Sequence, residues 1–250
     1  MIGQTEKNVS GRNIVNKAAL ITGGSDRIGK EIALSFAEMG FDIALHYFES
    51  EKKAQETRQE ILTKNVKCSV FQADFRSQEE TFSLMKEVAE CYDVHFLVNN
   101  ASVFIKSSLS DSQYNIFEDT LNINFNASYI LTKEFSKLKG RGLIINILDT
   151  KISQNTTDHF DYLLTKKFLK DLTKMSALHL APDIRVNAIA PGNILPPKGE
   201  GRQYLQSLSE KTPLKQVGNV DYIKNAVKYF VNNAFITGQI ISVDGGENLI

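Results

Sequence analysis

The stretch "ALITGGSDRIGKEIAL", residues 19–34, decides how this chain is read. It begins as a short apolar strand, turns through Gly23 and Gly24, and resumes as an amphipathic helix with Gly29 near its start. Backbone N–H groups at such a helix start favour an anionic ligand, and glycines let a pyrophosphate approach closely. A tight strand-to-helix turn also needs glycine for its own geometry, so the glycines leave a nucleotide site and a purely structural turn both open.

The same alternation runs through the rest of the chain. Short apolar runs at 17–22, 41–47, 67–73, 94–100, 142–148, 184–190 and 239–244 are bounded by turn residues and predict seven strands. Between them, stretches such as "EKKAQETRQEILTKN", "NINFNASYILTKEFSKL" and "VDYIKNAVKYFVNN" carry apolar residues at helical spacing. Strand then helix, repeated, implies right-handed crossovers and a doubly wound parallel sheet with helices on both faces, an α/β fold. With 250 residues the chain has length for one such domain, here taken as 17–250 after a polar arm at 1–16. The segment "PGNILPPKGEGRQ" (191–203) holds three prolines and three glycines, which forbid regular structure; it predicts a substrate loop extending to about 212.

Composition narrows the functional classes. Lys plus Arg equal Asp plus Glu at 29 each, which argues against a broad basic surface for nucleic acid or anionic lipid. No apolar run approaches the roughly 20 residues that span a bilayer, and the start lacks the apolar core of a signal peptide. Cys68 and Cys91 have neither metal-ligand spacing nor a disulfide framework, and the four histidines (His46, His95, His159, His179) are scattered, so no metal site is expected. A cytoplasmic protein acting on a small molecule is the expectation.

Dinucleotide folds that select NAD often place an acidic residue near the end of the second strand, on the ribose 2′-OH. This chain reads "LHYFES" there, with Tyr47 in that place and His46 beside it. Without a carboxylate nothing repels a 2′-phosphate, and Arg27 in the glycine turn offers a guanidinium for it, which favours NADPH over NADH. Asp26 and Glu49 flank the same region and oppose a phosphate.

Proton chemistry is suggested by "ILDTKISQNTTDHFDYLLTK" (147–166). Tyr162 and Lys166 are four apart, on one face of a helix, and Asp149 ends the preceding strand. A free tyrosine has a pKa of roughly 10, and a nearby lysine cation lowers it toward a useful range. Tyr129 and Lys133 repeat the spacing inside a helix that packs on the sheet, so that pair is read as structural.

Taken in order, "TGGSDRIG", "NNAS" (99–102), Asn124 in "NINFNA", Tyr162-x-x-x-Lys166, "APG" (190–192) and "ITGQIISVDGG" (236–246) resemble the short-chain dehydrogenase/reductase family over nearly the whole chain from residue 17. The resemblance implies a Rossmann-type fold, a nicotinamide cofactor and a homotetramer. That family normally has serine at the place of Asp149 and glycine at the place of Arg27. Both departures, with "HY" after the second strand and "NNASVF" after the fourth, look like the pteridine reductase branch. By that resemblance Phe104 stacks on the pterin and Asn124 serves the proton route to Lys166. Gly23, Ile28, Gly29, Asn100, Ala101, Ser102, Pro191 and Gly192 line the cofactor, and Asp74 faces its adenine.

The chemistry agrees with that branch. A serine hydroxyl suits a substrate carbonyl, whereas a carboxyl beside Tyr162 accepts from ring N–H groups or relays a proton to a ring nitrogen. An ionised Asp149 raises the pKa of Tyr162 against Lys166, so the three titrate as a coupled set. The expectation is therefore NADPH-dependent reduction of a dihydropteridine. Reduction of a carbonyl or 3-oxoacyl substrate is the alternative, and a non-catalytic nucleotide-binding protein a third reading.

Overall fold

The computed structural model describes residues 16–250 except 139 and 198; most of the expected N-terminal arm lies outside them. Seven strands are present: β1 (Lys17–Ile21), β2 (Asp42–Tyr47), β3 (Cys68–Gln72), β4 (Asp93–Asn99), β5 (Gly142–Ile147), β6 (Ile184–Pro191) and β7 (Ile240–Val243). They form one sheet in the order β3-β2-β1-β4-β5-β6-β7, and every pair is parallel. This is the expected doubly wound, Rossmann-like sheet. Its strand order reverses between β1 and β4, which opens a crevice beyond their carboxyl ends where such sheets bind ligands.

Among the described residues there are eight α-helices: α1 (Arg27–Glu38), α2 (Glu51–Leu62), α3 (Gln78–Cys91), α4 (Tyr114–Leu121), α5 (Ala127–Phe135), α6 (Phe160–Leu180), α7 (Arg202–Ser209) and α8 (Val220–Asn232). The central strands are buried on both sides, so Ala18–Ile21 and Ile43–Leu45 are fully apolar runs at 0% exposure rather than alternating ones. On one face Phe36, Ile32, Val227 and Phe230 join α1 and α8 to the sheet; on the other Leu84, Met85, Leu131 and Phe135 join α3 and α5.

Two differences from the sequence reading have local causes. The helix expected from Asn122 starts earlier, at Tyr114, and α4 runs through a five-residue π turn (Asn122–Asn126) into α5. Half of the residues of α4 are apolar, but Thr120 is the residue it buries. The expected irregular stretch ends at Gly201, where the Pro and Gly stop. Helix α7 begins at Arg202 and buries Leu205 and Ser209.

A buried polar chain docks α6 on the sheet. Asn99 donates to Asn146 (2.8 Å), and Asn146 donates to Thr173 (2.8 Å). Thr173 donates to the Leu169 carbonyl (2.8 Å). Asn99 Oδ1 is left without a partner among the described residues, and the bonds that are made favour one packing over its near alternatives, here setting the rotation of the helix that carries Tyr162 and Lys166.

Candidate active site

The glycine turn is held from behind. Thr22 donates to the Val98 carbonyl (3.1 Å) and accepts from the N–H groups of Asn100 (2.8 Å) and Ala101 (3.0 Å). The Asn100 amide donates to the carbonyls of Thr22 (2.8 Å) and Gly23 (3.1 Å). Gly23 has φ +60, and a Cβ on Gly29 would lie 2.1 Å from the Gly23 carbonyl oxygen, so the turn requires glycine at both positions. The first turn of α1 carries no acidic side chain, and its N-terminus is capped by Asp26, which takes the Arg27 N–H.

His46 acts through this turn. It is 2% exposed, accepts the Gly23 N–H at Nδ1 (3.1 Å), and donates from Nε2 to the Ala73 carbonyl (3.0 Å). Its ring stacks on Phe75, with centroids 4.2 Å apart. Burial holds its pKa down to about 4, partly opposed by the Ala73 bond, so the ring is neutral. Its contact with a bound nucleotide is thus indirect. Tyr47 is buried beside it, and Ile28 packs partly into the core.

The charges around the turn are arranged differently from the expectation. The Arg27 guanidinium does not turn toward β2; it donates to the Pro196 carbonyl (2.9 Å), bridging to the loop after β6. Asp26 caps α1 by accepting from the Arg27 N–H (2.8 Å), and its other oxygen is paired with Lys53. Lys53, in the first turn of α2, thus places a cation beside the glycine turn, which sequence reasoning missed. Asp74, after β3, is held bidentately by Arg76, which donates from Nε to Oδ1 (3.0 Å) and from Nη2 to Oδ2 (2.7 Å), and Arg76 lies over the Phe48 ring (4.9 Å). Of the two carboxylates that the sequence set against a phosphate, Asp26 and Glu49, Asp26 is thus paired.

The proton-transfer residues meet at the ends of β5 and β6. Tyr162 donates to Asp149 Oδ2 (2.9 Å), while Asp149 Oδ1 accepts the Lys151 N–H (2.8 Å). Lys166 is 2% exposed, donates to the Ile147 carbonyl (2.9 Å), and lies 5.7 Å from the Tyr162 ring centroid. Burial first, then the adjacent Asp149, push the Tyr162 pKa well up. Burial lowers Lys166 to about 8, with Asp149 opposing. The expected lowering of Tyr162 by Lys166 is not what the geometry produces: the lysine faces a carbonyl, and the hydroxyl faces a carboxylate. Tyr162 is held protonated, as a donor requires.

Asn124 sits in the π turn at 0% exposure. It accepts from the Val103 N–H (2.8 Å) and donates to the Val103 carbonyl (3.0 Å) and Thr165 (3.2 Å). Its side chain clamps the loop after β4 to α6 and makes no bond to Lys166. Such π turns are frequent at functional sites. Ser102 and Phe104 follow on that loop, both exposed, and Phe104 meets Tyr162 edge-on at 4.7 Å. Its neighbour on the other side is His159, stacked at 3.9 Å, whose Nδ1 bonds the Ile105 carbonyl (3.1 Å). His159 was not singled out from sequence, although its place three residues before Tyr162 put it one turn away on α6's leading end. Pro191 and Gly192 close the pocket at the end of β6, where Gly192 donates to Val243 (3.0 Å). Tyr129, of the second Tyr/Lys pair, lies half-exposed beside Phe125 on α5. Among the described residues no His, Cys, Asp and Glu gather as a metal site.

A doubly wound sheet with a glycine turn at its switch point and a buried Tyr–Lys pair at the same end defines an oxidoreductase of the nicotinamide-dependent type. The chain belongs to the short-chain dehydrogenase/reductase family: the family model described as "Enoyl-(Acyl carrier protein) reductase" matches residues 24–248. It is 33% identical to the 3-oxoacyl-[acyl-carrier-protein] reductase FabG of Staphylococcus epidermidis over 242 residues, 93% of this chain and 99% of that one. Among solved structures it resembles FolM Alternative dihydrofolate reductase 1 from Brucella canis complexed with NADP. The TM-score there is 0.89 and the identity 32%, covering 95% of this chain and 96% of the other. A short chain dehydrogenase from Burkholderia cenocepacia in complex with NADP matches with a TM-score of 0.86 and 28% identity, over 93% and 98% of the two chains. Among the described residues no helix is long and apolar enough to cross a membrane.

Proposed function

We propose that this protein reduces a dihydropteridine with NADPH. The observation that carries the reading is the bond from Tyr162 to Asp149, a carboxylate where the family ordinarily has a serine hydroxyl. NADPH, when bound, supplies the hydride. The glycine turn and the α1 N-terminus fit its pyrophosphate, and Lys53 and Arg76 supply cations near the end of β2. Tyr162 supplies the proton: as the carbon of the substrate's C=N bond gains hydride, the adjacent nitrogen takes the Tyr162 proton and becomes N–H. Asp149 orients that hydroxyl, and exchange through its carboxylate restores the proton from solvent. Phe104, backed by His159, offers an aromatic face to a flat bicycle, worth about 0.5–1.5 kcal/mol beyond burial. The solved neighbour named as an alternative dihydrofolate reductase supports this substrate class.

The 33% identity to 3-oxoacyl-[acyl-carrier-protein] reductases favours a second reading, a ketone reductase in which Asp149 is a polar orienter. Steady-state NADPH oxidation against dihydrobiopterin, dihydrofolate and an acetoacetyl thioester separates the two. Turnover of the pteridines alone supports the proposal; turnover of the thioester alone replaces it. Tyr129 on α5 and Phe168, Met175 and Leu178 on α6 are exposed large apolar residues, which supports burial against further copies of the chain in a homotetramer. Light scattering at micromolar concentration tests that.

A further inference from the structure

We infer that Glu247 is a specificity-determining residue, which recognises the paired N–H donors of the substrate's aminopyrimidine edge. This rests on the pteridine reading above. Glu247 lies in the short helical turn after β7, and its side chain lines the same pocket as Phe104, Asp149 and Tyr162. The segment is seated firmly. Thr150 bonds Asp244, and Gln154 donates to the carbonyls of Glu247 (3.5 Å) and Ile250 (2.5 Å). Gly192 packs so closely that a Cβ there would lie 2.7 Å from Asp244 Cβ and 3.0 Å from Glu247 Oε2. The carboxylate is thereby fixed beside the "APG" turn.

Asn193 is its hydrogen-bond donor among the described residues, giving its amide N–H to Oε2 at 3.0 Å. Both oxygens of Asp149 already accept a bond, one from Tyr162 and one from the Lys151 N–H, whereas the hydrogen bond to Glu247 falls on Oε2. A carboxylate is an acceptor-only group with two oxygens, matched to two parallel N–H donors. The N–H and exocyclic NH₂ of an aminopyrimidine present that pair; a 3-oxoacyl thioester presents none in its reacting part. Lys151 is the lysine that lines this pocket, beside the carboxylates of Asp149, Asp158 and Glu247. Three carboxylates thus share this lining with one lysine.

The test compares wild type with E247Q, which keeps size and the Asn193 contact but replaces one acceptor oxygen by a donor. Both are assayed with NADPH against dihydrobiopterin and against a dihydropterin lacking the 2-amino group. Thermal unfolding and NADPH fluorescence titration check the fold. The expected result is a KM for dihydrobiopterin raised roughly 10- to 100-fold, with kcat within about threefold. The 2-desamino compound should show nearly the same KM with both proteins. An unchanged KM for dihydrobiopterin, or an equal rise for both compounds, overturns the inference and leaves the pteridine reading standing. Wild type that turns over no dihydropteridine overturns both.

Discussion

The Tyr162 hydroxyl donates to Asp149 at 2.9 Å, while Lys166, one helical turn further on, donates to a backbone carbonyl instead. Tyrosine is thus poised as an acid rather than as a tyrosinate. Burial and the facing carboxylate both stabilise its protonated form. The arrangement suits a reduction, which consumes a proton at the step in which hydride arrives.

Tyr162→Phe removes the proton donor and little else, because the ring still packs with Leu148, Ile152 and Leu163. Turnover should fall by about 10²–10⁴-fold. The NADPH dissociation constant, read by fluorescence, should stay within about twofold. Retained turnover would rule out Tyr162 as the donor.

Lys166 is held down to about 8 by burial. In the free enzyme its positive charge is therefore present below pH 8 and lost above it, whereas an ordinary lysine keeps it to about 10.4. If that charge supports the reaction, kcat/KM for the substrate should fall on a basic limb near pH 8, and Lys166→Met should remove the limb along with most activity. A profile flat to pH 9.5 would mean that the lysine's charge is not used.

His46 carries a stability prediction. Its folded-state pKa is depressed to about 4, below the ordinary 6.5. The unfolded chain therefore binds the extra proton first as pH falls. Stability is full above pH 6.5 and is lost progressively down to about pH 4, by about 3 kcal/mol in all. Urea midpoints at pH 7 and pH 5 should show the drop, and His46→Gln should lessen the difference while lowering stability at both. Equal pH dependence in the two proteins would remove His46 as its source.

Lys53 pairs with Asp26 beside the glycine turn. Under the NADPH reading, Lys53→Ala should raise the KM for NADPH roughly tenfold and leave that for NADH within about twofold. Equal effects on both cofactors would assign Lys53 to the helix cap alone.

What could be read from the chain follows physical range. Strand-and-helix alternation is local, so all seven strands were legible, as was the switch point through "TGGSDRIG". Tyr162, Lys166 and Asp149 could be placed together because one strand end and one helix start carry all three. Arg27 could not be: its reach to Pro196 spans 169 positions and depends on a left-handed backbone, φ 52. Lys53, His159 and Glu247 are ordinary polar residues whose place in the site comes only from tertiary packing. For Tyr162 both influences, lowering by Lys166 and raising by Asp149, were legible; which of them wins depends on which neighbour the buried hydroxyl faces.

The most direct test of the account is Asp149→Ser, assayed with NADPH on dihydrobiopterin and on a simple ketone. Pteridine reduction is expected to fall at least about tenfold more than ketone reduction, because the carboxylate keeps lone pairs to accept from a ring N–H, a donor that a ketone does not offer. An equal fall on both substrates, or a gain on the pteridine, would contradict it.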